Sequence, residues 1–217
     1  MAAGRPKRAR YRCAAGIAAA ILFSACSPPG SPPDAPSVSG PPGPAPAVVA
    51  GKAPVTTSGI PAIVILEPRH ALQLPEPGGV PVMDQVARSF VPPVLFVRTD
   101  HPTEFRNSDD ELHNINVKEG VTFEQAFNVA VPTGERYVHT FTRTGAYDVT
   151  CDIHAGMSAQ IVATSTPYVT LAGSDGAFAF PDVVPGTYAL TVYAGVQTIE
   201  RTIEVAGPRT EVDATHP

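Results

Sequence analysis

The sequence predicts an all-β protein of sandwich type, and three observations carry that reading. Short β-type runs recur along the chain between turns rich in Gly, Pro and Asp. Strict alternation in Tyr147-Asp148-Val149-Thr150-Cys151 and in Tyr188-Ala189-Leu190-Thr191-Val192-Tyr193 puts every second side chain on one face. No long stretch carries a 3.6-residue apolar period, and no internal repeat is visible.

The N-terminal region is set apart first, because targeting segments do not pack into a fold. Arg5, Lys7, Arg8, Arg10 and Arg12 form a basic stretch ahead of an apolar run from Ala14 to Phe23, which is too short to cross a bilayer. Residues 1–25 therefore read as a secretory signal. The sequence Leu22-Phe23-Ser24-Ala25-Cys26 resembles a bacterial lipobox, which implies lipidation at Cys26 and a tethered envelope or periplasmic protein. An ordinary cleavage site with an incidental cysteine is the alternative.

Removal of residues 1–25 would take five of the fifteen Lys+Arg and none of the twenty Asp+Glu, leaving ten basic side chains against twenty acidic ones. Such a balance argues against nucleic acid as a partner and suits a basic redox protein. Cys13 lies in the signal and Cys26 would be acylated, so Cys151 is left with no thiol to pair with.

Residues 26–58 read as a Pro/Gly/Ser-rich linker. Extended at about 3 Å per residue, it would act as a stalk. Beyond it, β-runs are expected at 60–66, 94–98, 113–117, 121–129, 136–142, 146–151, 159–163, 168–171, 187–193 and 198–205. A helical turn is expected within 82–90.

Cys151-Asp152-Ile153-His154-Ala155-Gly156-Met157 places a thiolate, an imidazole and a thioether at i, i+3 and i+6. Soft sulfur with imidazole favours copper, and two His, one Cys and a weak axial Met make the blue-copper electron-transfer set. A second histidine must come from elsewhere, and His113 is the candidate. Zinc is the competing metal, which methionine argues against. A Cys151–His154 nucleophile is a further alternative, with nothing evident to orient the histidine.

The segment from Asn107 to Ile115, NSDDELHNI, followed by GAYDVTC and CDIHAGM, resembles the plastocyanin and amicyanin type of cupredoxin over residues 83–163. The Cys-x2-His-x2-Met spacing is similar to the short loop of amicyanin. This resemblance implies a Greek-key cupredoxin sandwich and one type 1 copper ion on His113, Cys151, His154 and Met157. Asn114 would support those ligands, and His154, near the loop tip, would be the electron's exit.

Residues 164–217 contain Gly173-Ser174-Asp175-Gly176 and Pro185-Gly186-Thr187-Tyr188-Ala189-Leu190, which resemble half of a carboxypeptidase-regulatory-like (transthyretin-like) β-sandwich. The β-type part of this segment, residues 167–206, has forty residues, too few for a core of their own. The β-run in residues 59–82 is therefore expected to join them, with the cupredoxin unit inserted between.

His70, His101, His139 and His216 show no paired spacing, so no oxidase cluster, and no enzyme, is expected. The function implied is one-electron transfer in the envelope. Copper storage or delivery, or a metal-free binding module, are the alternatives.

Overall fold

The structure is a computed structural model that describes residues 45–57 and 59–216. The signal, most of the stalk and Cys26 lie outside these residues. The strands are β1 (Ala47–Lys52), β2 (Ile63–Pro68), β3 (Val82–Val86), β4 (Ser89–Val91), β5 (Val94–Arg98), β6 (Pro102–Asn107), β7 (His113–Glu119) and β8 (Gln125–Val131). They continue with β9 (Arg136–Thr140), β10 (Gly145–Thr150), β11 (Ser158–Thr164), β12 (Val169–Leu171), β13 (Ala177–Val183), β14 (Gly186–Ala194), β15 (Gln197–Val205) and β16 (Arg209–Asp213).

Two sandwiches result, each around its own core. The first pairs a five-stranded sheet, β5-β11-β10-β7-β8, with a four-stranded sheet, β4-β3-β6-β9. Its interior holds Met83, Phe105, Ile115, Val117, Phe141, Tyr147, Val149 and Ile161. The second is built from β13-β1-β16 and β12-β2-β14-β15 around Val49, Leu66, Phe180, Tyr188, Leu190 and Ile199. Among the described residues the chain therefore passes from the second sandwich through the whole of the first and returns to the second. β2 makes this connection, with Ile65 opposite Val169 of β12 and Leu66 opposite Leu190 of β14.

Period-2 alternation does the local work. In β10, Tyr147 and Val149 are buried while Asp148 and Thr150 face outward, so the next residue, Cys151, lies on the inward face. Each core also carries a tyrosine whose hydroxyl donates to the carbonyl four residues back. Tyr147 reaches Arg143 at 3.0 Å and Tyr188 reaches Val184 at 2.6 Å, the corner device of antiparallel sandwiches.

Three sequence expectations need correction. The expected linker, residues 26–58, contains β1, which pairs antiparallel with β13 and parallel with β16. Between Pro46 and Pro54 no proline interrupts the chain, so every backbone N–H there can join a ladder, and Val49 packs in the core. The helical turn expected in 82–90 is instead the β3–β4 hairpin. Its two connecting residues, Ala87 and Arg88, both have positive φ, 51° and 57°, the type I′ pattern that matches strand twist. The β-run expected from Val121 begins later, at Gln125. Before it, the Glu119 carboxylate accepts from the backbone of Val121 (3.0 Å) and Thr122 (2.5 Å) and holds a turn.

Candidate metal centre

His113 is the first residue of β7, and Cys151 directly follows β10. These strands pair antiparallel, with Asn116 opposite Thr150 and Val117 opposite Val149. On β7 the period of two puts His113, Ile115 and Val117 on the core face and Asn114 and Asn116 on the other. His154 and Met157 sit on the loop from β10 to β11, whose strands face each other at Thr150 and Ser158. The loop is closed by Cys151 N–H donating to the Met157 carbonyl (3.2 Å). Gly156, at φ 85°, takes the left-handed step that makes the turn tight.

This arrangement gathers three donor atoms. Cys151 Sγ lies 3.9 Å from His113 Nδ1 and 3.9 Å from His154 Nδ1, and the two Nδ1 atoms are 2.9 Å apart. His113, Cys151 and His154 form a group fit to hold a metal ion. Met157 is buried in the same core cluster as Cys151. Asn114 Oδ1 is 3.3 Å from Cys151 Sγ and accepts from the Asp152 backbone N–H at 2.7 Å. Three of the four expected ligand residues, His113, Cys151 and His154, thus converge, with Asn114 beside them, and the fourth, Met157, is buried in the same core. His70, His101, His139 and His216 do not belong to the group.

Two carboxylates that sequence reasoning did not single out complete the centre. Asp109 accepts from His113 Nε2 at 2.8 Å and Glu111 from His154 Nε2 at 3.0 Å. With both outer nitrogens donating, both Nδ1 atoms turn lone pairs toward the thiol, an arrangement that calls for a shared proton or a cation. Asp109 also accepts from the backbone of Arg88 and Ala87, and these bonds, with His113, hold its carboxyl below the usual range. The Arg88 guanidinium does the same to Glu111. The acidic run Asp109-Asp110-Glu111 just ahead of His113 was the available signal. His154, expected near the exposed tip of the loop, has a side chain only 19% exposed, with Glu111 on its outer nitrogen.

A third carboxylate ties down the loop. Asp152 accepts amide N–H bonds from Asn116 (2.9 Å), Asn128 (2.9 Å) and Asn114 (2.9 Å), which hold its carboxyl below the ordinary value.

Residues 82–164 match the family model for copper binding proteins of the plastocyanin/azurin family. Residues 129–212 match a second, polysaccharide lyase family 4, domain II. The two overlap over residues 129–164, which fold within the first sandwich. Three solved structures are similar to part of the chain. An oxidised amicyanin variant has 27% identity, covering 40% of this chain and 84% of its own, with a TM-score of 0.36. A purple cupredoxin from Nitrosopumilus maritimus has 20% identity, covering 39% and 99%, with a TM-score of 0.35. Amicyanin from Paracoccus versutus has 16% identity, covering 46% and 97%, with a TM-score of 0.36. No curated protein matches the chain significantly. Residues 82–164 are thus similar to the copper binding proteins of the plastocyanin/azurin family.

Proposed function

We propose that this chain is a one-electron carrier that holds one type 1 copper ion on His113, Cys151, His154 and Met157. In this reading it is exported, tethered to the cell envelope through a lipidated Cys26, and exchanges electrons with a basic redox protein. The observation that carries the copper reading is the donor triangle. A point equidistant from its three corners lies about 2.1 Å from each, within the ~2.0–2.3 Å span of metal–nitrogen and metal–thiolate bonds. Thiolate, two imidazoles and a thioether are a donor set that selects copper over harder cations.

Copper, when bound, would supply the one-electron couple. The chain's own contribution is a set of donors that need not move. His113 is buried in a strand, both imidazoles end on carboxylates, and Asn114 holds both the backbone N–H and the side chain of Asp152, the residue after the thiol. Donors fixed in this way keep reorganisation small when charge changes, which suits transfer rather than catalysis. Cys151 also leads into β10, which ties the site to the sheet behind it. Among the described residues no helix is long and apolar enough to cross a membrane.

The test is to supply the purified full-length chain with Cu(II) and record visible and paramagnetic resonance spectra. One equivalent taken up, with an intense thiolate-to-copper band lost in Cys151→Ser, is the expected result. No uptake would leave a metal-free binding module, and ready loss of copper to a chelator would indicate copper storage or delivery. Membrane tethering is tested separately, by whether Cys26→Ser moves the protein from the membrane fraction to the soluble one.

A further inference from the structure

The outer nitrogen of His154 is occupied by a side chain that is itself held in place. Glu111 receives Arg88 in a fork, with Nη2 at 2.5 Å from Oε1 and 2.8 Å from Oε2, and Nε at 3.2 Å from Oε2. Arg88 projects from the hairpin turn whose two residues stand in the left-handed region. Non-glycine residues adopt that conformation at a cost and keep it where the surroundings hold them. Here the Asp109 carboxylate does so, accepting from Ala87 N–H at 2.5 Å and Arg88 N–H at 2.9 Å. The same carboxylate takes His113 Nε2, so both imidazoles terminate on groups tied to one turn.

We propose that Glu111, gripped by Arg88, is a positioning residue that fixes His154 with Nδ1 toward Cys151 and His113 and lowers the reduction potential of the site. This rests on the copper reading above. Arg88 and Glu111 are partly exposed, with side chains 61% and 40% accessible, and such a pair contributes little to folding. Its effect lies in direction. A carboxylate that accepts from Nε2–H selects the tautomer whose Nδ1 is free to ligate, and makes that nitrogen a stronger donor. A stronger, more negative ligand set favours the metal state of higher positive charge. The planar fork matters because a lysine would meet the carboxylate at a single point and leave it free to turn.

Two measurements test the proposal on the full-length protein, with Asp110→Asn as the control. Asp110 is exposed on the same loop and, among the described residues, makes no hydrogen bond to either ring. In the copper-loaded protein, Glu111→Gln should move the Cu(II)/Cu(I) ratio at a fixed poise at least tenfold toward Cu(I). That is a rise of about 59 mV for one electron. Asp110→Asn should give less than a third of that shift. Equal shifts in the two variants, or none in Glu111→Gln, would overturn the proposal. In the metal-free protein, nitrogen NMR should find His154 protonated at Nε2 in the wild type, with the Nδ1–H tautomer appearing in Glu111→Gln and in Arg88→Lys. An unchanged tautomer in both would also overturn it. Because this second measurement needs no metal, a protein that takes up no copper would end the copper reading while the positioning claim is still decided.

Discussion

Asn114 spans the peptide that follows the thiol. Its Oδ1 lies 2.7 Å from the backbone nitrogen of Asp152 and its Nδ2 lies 2.9 Å from the Asp152 carboxylate. One amide on β7 thus fixes both the backbone and the side chain of the residue next to Cys151, and Asn116 and Asn128 add two further donors. Strand and loop are joined by polar contacts at the point where the thiol of the candidate site must hold still.

Asn114→Ala removes this clasp. The Asp152 N–H loses its partner, and the expected cost is about 1–3 kcal/mol in urea unfolding of the metal-free protein. The copper-loaded variant should show broadened paramagnetic resonance lines, since the thiolate is less firmly placed. Wild-type stability together with unaltered lines would contradict this.

His139 gives a pH prediction. Its ring lies 4.4 Å from Phe127 and 4.8 Å from Phe141, and burial pulls its pKa below the ordinary 6.5. The unfolded chain therefore binds the proton more readily. The stability that neutral His139 contributes is complete above about pH 6.5–7 and declines as pH falls toward the depressed folded value. His139→Phe keeps the aromatic contacts and removes the titration. Wild type should lose stability relative to the variant between about pH 7 and pH 5, as read from paired thermal melts.

β1 is a structural part of the second sandwich. Val49→Ala, at a position fully withdrawn from solvent, should cost about 2 kcal/mol from lost burial and the cavity left behind. Gly51→Ala should cost at least as much, because its Cβ would run into the Val212 carbonyl oxygen and the Phe178 ring. A Gly51→Ala protein with an unchanged melting point would contradict the pairing of β1 with β16.

Tyr188 gives an alkaline counterpart. Burial pushes its phenol up to about 12 from 10.0, so the unfolded chain releases that proton first. The stability it contributes is complete below about pH 10 and is lost as pH rises toward 12. Tyr188→Phe should remove that alkaline limb. It should also cost about 1 kcal/mol at neutral pH through the lost bond to the Val184 carbonyl.

The copper-type loop was legible because its chemistry is local. Cys151, His154 and Met157 lie within seven residues of one another, so their spacing alone constrains which atoms can meet. The strands with clean alternation, β10 and β14, were legible for the same reason. β1 was hidden by the Pro-rich composition around it, and the turn at Ala87-Arg88 carries neither of the residues, Asn or Gly, that normally announce a type I′ hairpin.

What the sequence determined by itself is the all-β class and the candidate loop of Cys151, His154 and Met157, because alternation and short-range spacing are properties of the chain alone; His113 entered as a candidate through the resemblance to cupredoxins. Tertiary structure decided which groups hold those ligands. Asp109 and Glu111 meet the two histidines, and Arg88 meets Glu111, only after β3, β6, β7 and β10 have been brought together. Contacts between strands distant in sequence depend on register and on the direction of side chains across a sheet, and neither is written in any local pattern.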